Sequence, residues 1–282
     1  VLFAVGSSMT RTGYGQPIPD GKVIIHNVES IEDINKDFSV DVGLPGDAKL
    51  TLQAMIEEVK AQIGQNGRKG QTKVAEEIAQ LREQWMAEWT QLLNSDEVPI
   101  NAYRVIGELE SNLDKENSIV THDAGGPRDA MVPFLTATIP FSYMGWGKTT
   151  HLGFGIPAMI GAKMAHPDKF CLNYMGDGAF GMSGLDVSTA ARANLPITTV
   201  LLNNGGMATY PGGFPVAREQ YDVSFMAGNY AQIAEGMGAT GITVTKVAEM
   251  GPAIKKARQL NSEGKTVLID VHSNFEAKKS RF

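Results

Sequence analysis

From Pro99 onward, short apolar segments alternate with segments whose apolar residues recur at helical spacing. Strands are expected at 118–122, 170–174, 198–202, 242–245 and 266–271, and helices at 102–113, 156–165, 185–193, 230–236 and 252–260. This alternation leaves few architectures open. It argues for an α/β fold, a doubly wound and mostly parallel sheet with helices on both faces. Ligands in such folds bind beyond the carboxyl ends of the strands. The glycine- and asparagine-rich turns of this chain fall at those ends.

The first 97 residues read differently. An apolar run at 1–6 and a second at 22–26 precede a helical pattern carried by Leu52, Met55, Ile56 and Val59. Residues 1–63 therefore read as a truncated Rossmann-like domain, with too few strands to make a stable sheet when taken alone. Between 64 and 97 a polar break at 67–70 leads into one long charged helix, expected over 74–93 and read as a linker. The regular domain then spans 98–282. Val1 stands where an initiator Met would be, and the chain is expected to follow an upstream segment or to work with a separate partner chain.

Composition narrows the partners. The chain of 282 residues carries 25 basic and 31 acidic side chains, a net charge of −6, which gives no electrostatic reason to expect nucleic acid. No apolar run reaches the roughly 20 residues of a bilayer span, so no membrane partner is expected either. The one cysteine, Cys171, excludes an internal disulfide and suits a cytoplasmic location.

Two turns carry chemistry. The strand at 170–174 runs into Gly176-Asp177-Gly178-Ala179-Phe180, and the next strand runs into Asn203-Asn204-Gly205-Gly206. Sequential parallel strands bring such turns face to face. Asp177 offers a carboxylate oxygen and Asn204 an amide oxygen, the hard donors that Mg²⁺ prefers and shares with phosphates. Gly176, Gly178 and Ala179 permit close approach of the backbone to a phosphate, and a helix opening at 183–185 would favour its charge.

A Gly-Asp-Gly turn followed at this distance by Asn-Asn resembles the binding motif of thiamine-diphosphate-dependent enzymes. Here Asp177 and Asn204 lie 27 positions apart. The resemblance implies that Asp177, Asn204 and the backbone carbonyl of Gly206 hold Mg²⁺. The segment from Gly153-Phe154-Gly155-Ile156-Pro157 to His166 is similar to acetolactate-synthase-like members. By that likeness Leu152 wedges the cofactor into its bent shape, and the carbonyl of Thr150 receives the 4′-amino group. The turn Asp123-Ala124-Gly125-Gly126-Pro127-Arg128 matches one that contacts the diphosphate, through Gly125 and Gly126. Close relatives of acetolactate synthase have Gln-His where this chain has Gly126-Pro127, a departure that puts acetolactate synthesis itself in doubt. Arg128 is open to two readings, a phosphate or carboxylate ligand and an ordinary surface arginine.

The resemblance extends to the first 63 residues, similar to the second half of the family's central domain, where FAD or ADP is open. It also implies a missing part. In the family a glutamate from a pyrimidine-binding domain activates the cofactor ring. No segment here resembles that domain, and Glu108, Glu110 and Glu116 read as solvated charges. The domain is expected upstream or on another chain, in a homodimer or tetramer, and the chain alone is expected to show no turnover. His151 is a candidate for the substrate face, and Met207 and Tyr210 for the pocket wall. The implied function is cleavage or formation of a C–C bond beside a carbonyl of a 2-oxo acid or ketone, as a lyase or transferase. A 2-oxo acid decarboxylase and an acetolactate-synthase-like carboligase both fit. Alternatives are an enzyme like oxalyl-CoA decarboxylase or 2-hydroxyacyl-CoA lyase, and a non-catalytic nucleotide-binding α/β subunit.

Overall fold

The computed structural model describes residues 1–11, 18–67, 72–145, 147, 151–207, 213–226 and 228–280. It divides into two compact units, one ending at Trp85 and one running over Met86–Ser280. Among the described residues no helix is long and apolar enough to cross a membrane.

In the first unit, β1 (Leu2–Val5), β2 (Ile24–Val28) and β3 (Val42–Pro45) form a parallel sheet in that order. Helices α1 (Ala48–Ile63) and α2 (Thr72–Ala87) follow. Strand β3 escapes the sequence pattern, because Gly43 and Pro45 read as a turn. The buried amide of Asn27 explains its placement: Nδ2 donates to the carbonyls of Leu44 at 2.8 Å and Gly46 at 3.1 Å. Asp47 caps α1 by accepting from the Leu50 N–H at 2.8 Å.

The single helix expected over 74–93 is broken. Helix α2 stops at Ala87, and a short α3 (Thr90–Leu93) follows. Between them Trp89, 4% exposed, packs its ring 5.0 Å from Tyr103 and 5.4 Å from Phe134. The burial of this large ring overrides the helical periodicity that the charged stretch carries.

The second unit alternates as its sequence does. Its elements are α4 (Ala102–Asn112), β4 (Ser118–His122), α5 (Gly126–Met131), β5 (Tyr143–Met144), α6 (Gly155–Ala165), β6 (Phe170–Gly176), α7 (Asp177–Ser183), α8 (Asp186–Arg192), β7 (Thr198–Asn203), α9 (Pro215–Tyr221), α10 (Tyr230–Gly236), β8 (Thr240–Val244), α11 (Met250–Ser262) and β9 (Val267–His272). The six strands are all parallel, in the order β5-β4-β6-β7-β9-β8. Strands β4, β6, β7 and β9 are buried almost throughout, as a parallel sheet covered on both faces requires. One core cluster joins Ile156 and Met159 of α6 to Cys171, Met175, Leu201 and Leu268 of the sheet. The chain moves outward from β4 to β5 and then returns to β6 on the other side. The crevice at the carboxyl ends of β4 and β6 is thus the topological switch point, where ligands of such sheets bind.

Close packing leaves no room at some glycines. A Cβ on Gly241 of β8 would stand 2.3 Å from the carbonyl oxygen of Ala231 and 2.7 Å from its carbonyl carbon. These are backbone atoms and cannot rotate aside. Gly241→Ala is expected to destabilise the domain by about 1–3 kcal/mol, read as a lowered urea midpoint. An unchanged midpoint would mean that α10 and β8 separate freely.

Candidate functional site

Two buried carboxylates build the crevice. Asp123 follows β4 and is fully buried. Its Oδ1 accepts the N–H groups of Ala124 at 2.8 Å and Gly153 at 2.9 Å, and its Oδ2 accepts that of Gly155 at 2.9 Å. One side chain thus joins the turn after β4 to the loop before α6, some thirty residues on. Gly153 takes a φ of 85°, and a Cβ there would meet Ser183 at 3.0 Å and Met182 at 3.1 Å. The loop therefore rests on the end of α7. It leaves His151 and Leu152 exposed at the surface, Leu152 by 37%. Thr150 lies outside the described residues. Gly125, at φ 78°, caps α5 and is exposed, with Gly126 half-buried beside it. Arg128 is half-buried in α5.

Asp177 is 1% exposed and opens α7, with Gly176 as its N-cap. The helix expected to open at 183–185 is α8, which begins at Asp186 with Leu185 as its N-cap, and a further helix, α7, precedes it from Asp177. Three glycines in 178–184 disguise the first helix. Two of them lie in close contact: a Cβ on Gly178 would lie 3.2 Å from Met207 and one on Gly184 2.7 Å from the Phe180 carbonyl. The Asp177 Oδ1 accepts the Gly178 N–H at 2.8 Å, and its Oδ2 accepts the Gly205 N–H at 2.9 Å. The N–H groups of Gly206 and Asn204 also face this carboxylate. The turns after β6 and β7 therefore meet, as their sequential strands imply. Burial pushes the Asp177 carboxyl up to about 6, and the surrounding N–H groups offset only part of that rise.

In the second turn, the Gly206 N–H donates to Asn204 Oδ1 at 3.1 Å, and Gly205 adopts a φ of 69°. Gly206 is buried under the ring of Phe275, which a Cβ on the glycine would strike at 2.2 Å. Met207 is half-buried, holds its ring-free side chain against Gly178, and donates its N–H to the Ser224 carbonyl at 2.8 Å. Ala179 is buried. Tyr210 lies outside the described residues. The three glutamates sit apart from these turns: Glu108 pairs with Arg104 at 3.0 Å, Glu110 pairs with Lys115, and Glu116 lies in a turn ahead of β4.

Sequence reasoning missed three side chains here: the double tie made by Asp123, the cover provided by Phe275, and Asp270 behind the second turn. Each acts on residues distant in sequence. The one available signal was a lone aspartate in an apolar strand or at its end.

Residues 123–271 match the family described as thiamine pyrophosphate enzyme, C-terminal TPP binding domain. Over most of its length the chain is 28% identical to a probable acetolactate synthase large subunit of Methanococcus aeolicus, covering 91% of this chain and 45% of that protein. It is 27% identical to the acetolactate synthase large subunit of Corynebacterium glutamicum, covering 96% and 43%. Over 174 residues it is 32% identical to a sulfoacetaldehyde acetyltransferase of Alcaligenes xylosoxydans xylosoxydans, covering 60% and 28%. The chain spans less than half the length of these relatives.

Proposed function

Because the chain belongs to the thiamine pyrophosphate enzyme family, whose C-terminal TPP-binding domain it carries over residues 123–271, we propose that it is the diphosphate-holding half of an enzyme that breaks or makes a C–C bond beside a carbonyl. The observation that carries this reading is the buried Asp177 carboxylate facing the turn of Asn204 and Gly206 across adjacent strand ends. A carboxylate, an amide oxygen and a peptide carbonyl form a hard oxygen set that suits Mg²⁺. Asp177, Asn204 and the Gly206 carbonyl would hold the ion. Gly125, Gly126, Gly176 and Ala179 would present backbone to the diphosphate, whereas the Gly178 N–H is already engaged by Asp177. Leu152 would support the bent cofactor, with the Thr150 carbonyl and Met207 beside it and His151 toward the substrate. Thiamine diphosphate, when bound, supplies the electron sink that such chemistry needs.

The substrate class is a 2-oxo acid or related ketone. Carboligation of the acetolactate synthase kind is favoured by similarity across nearly the whole chain. Acyl transfer is the second reading, favoured by the 32% identity to a sulfoacetaldehyde acetyltransferase. The pyrimidine-binding domain and its glutamate come from a further segment or chain, in a homo-oligomer.

The test is calorimetric titration of thiamine diphosphate into the chain together with its pyrimidine-binding domain, with and without Mg²⁺. Mg²⁺-dependent binding is expected, followed by CO₂ release from 2-oxo acids. Binding that ignores Mg²⁺, or no binding, would overturn the reading.

A further inference from the structure

Asp270 lies in β9, is fully buried, and belongs to none of the motifs above. Its Oδ1 accepts from Nδ2 of Asn203 at 3.0 Å. Its Oδ2 accepts the N–H groups of Tyr230 at 2.9 Å and Ala231 at 3.2 Å. Asn203 Nδ2 also donates to the Gly228 carbonyl at 3.2 Å. Asn203 directly precedes Asn204, and Tyr230 opens α10. One carboxylate therefore grips the outgoing and the returning foot of the excursion that leaves β7 and comes back at α10.

The feet are laced as well. The Met226 N–H donates to the Gly205 carbonyl at 2.9 Å, and the Ser273 N–H to the Asn203 carbonyl at 3.0 Å. The Tyr230 ring meets Phe180 edge-on with centroids 5.4 Å apart, and Phe180 sits one turn along α7 from Asp177. A buried carboxylate carries a desolvation cost that an apolar residue would not. At this position its three hydrogen bonds all go to the feet of the loop.

We infer that Asp270 is a positioning residue for the metal loop: by holding both feet it sets where the Asn204 amide oxygen and the Gly206 carbonyl stand opposite Asp177. The inference rests on the proposed reading of those three residues as ligands of the cation. Asp270 touches neither ion nor cofactor itself. It acts on the ion through Asn203, as outer partners commonly do for metal ligands.

The experiment uses the full-length protein with thiamine diphosphate in excess, into which Mg²⁺ is titrated by calorimetry well below the melting temperature. Asp270→Asn keeps the shape of the side chain and presents an NH₂ group to donors. Asn203→Ala removes the bonds from Asn203 to Asp270 and to the Gly228 carbonyl but leaves those from Tyr230 and Ala231, so it reports even where Asp270→Asn does not fold. Each is expected to weaken Mg²⁺ binding roughly 10- to 100-fold, and the double variant no further than the worse single one. In metal-free protein, amide exchange at Gly205 and Met226 is expected to quicken. Mg²⁺ affinity within about twofold of wild type in Asn203→Ala, with only the melting temperature lowered, overturns the inference, as does strict additivity in the double variant. Asp177→Asn separates the two failures. If it leaves Mg²⁺ binding intact, the ligand reading falls. If it abolishes binding while Asn203→Ala does not weaken it, only the positioning role falls.

Discussion

Replacing Asp177 with asparagine is expected to remove Mg²⁺-dependent thiamine diphosphate binding, weakening the apparent affinity by at least about 100-fold, more than loss of a group that only hydrogen-bonds a ligand commonly costs. The side chain keeps its shape but loses its charge, and its NH₂ group faces peptide N–H groups that now donate to Asp177. The same residue gives the metal-free protein a pH dependence. An aspartate takes up its proton near 3.8 in an unfolded chain, whereas Asp177 does so at about 6 in the fold. Between those values the native state binds the extra proton, so this group makes the metal-free protein more stable as pH falls from about 6 toward 4. Above about 6 the buried charge lowers stability unless a cation meets it. Melting temperatures of wild type and Asp177→Asn, compared across that range with and without Mg²⁺, read the effect as a difference between the two proteins. The difference should shrink on adding Mg²⁺. Equal pH dependence in both proteins would show that Asp177 does not titrate in this window.

The second large effect is expected at Asp123. Alanine there would strip acceptors from three buried N–H groups, those of Ala124, Gly153 and Gly155. Each orphaned buried donor costs about 1–3 kcal/mol, so a loss of roughly 3 kcal/mol or more is expected. The cost falls on a junction: without the carboxylate, the loop bearing Leu152 is no longer tied to the turn bearing Gly125. Asparagine should be milder, because its single oxygen still serves the two donors that share Oδ1. Urea denaturation measures the stability change, and thiamine diphosphate titration of the surviving folded protein measures the change at the loop. A wild-type midpoint for Asp123→Ala would mean that water replaces the carboxylate without penalty.

The part of this fold that was legible in the sequence is the part governed by local rules. Strands β6 and β7 are mostly apolar runs that end in glycine and asparagine, and such runs read as buried parallel strands with turns at their carboxyl ends. The Asp177 and Asn204 turns could be set against each other because their strands are sequential neighbours, and in the sheet those strands do pair. What stayed hidden depends on distance or on packing. Strand β3 carries Gly43 and Pro45, which read locally as a turn, and it is a strand because its backbone pairs with β2, with the Asn27 amide bonding to the Leu44 carbonyl and to that of Gly46 just beyond it. Helix α7 carries Gly178 and Gly181, which local propensity counts against a helix, although Met207 packs closely on Gly178. The long charged helix breaks at Trp89 because an aromatic cluster takes the ring. Asp123 and Asp270 bond to groups that lie 30 and 67 positions away, and no window of sequence contains both ends of either contact.

Phe275 gives the stretch after β9 a meaning that its position would not suggest. Its ring lies on Gly206, and a few residues later the Ser280 N–H donates to Tyr103 Oη at 3.0 Å. The tail is thus bolted to the domain at one point and pressed on the Gly206 turn at another. Cutting the chain ahead of residue 275, or splicing an affinity handle there, is in effect a change to the turn of Asn204 and Gly206.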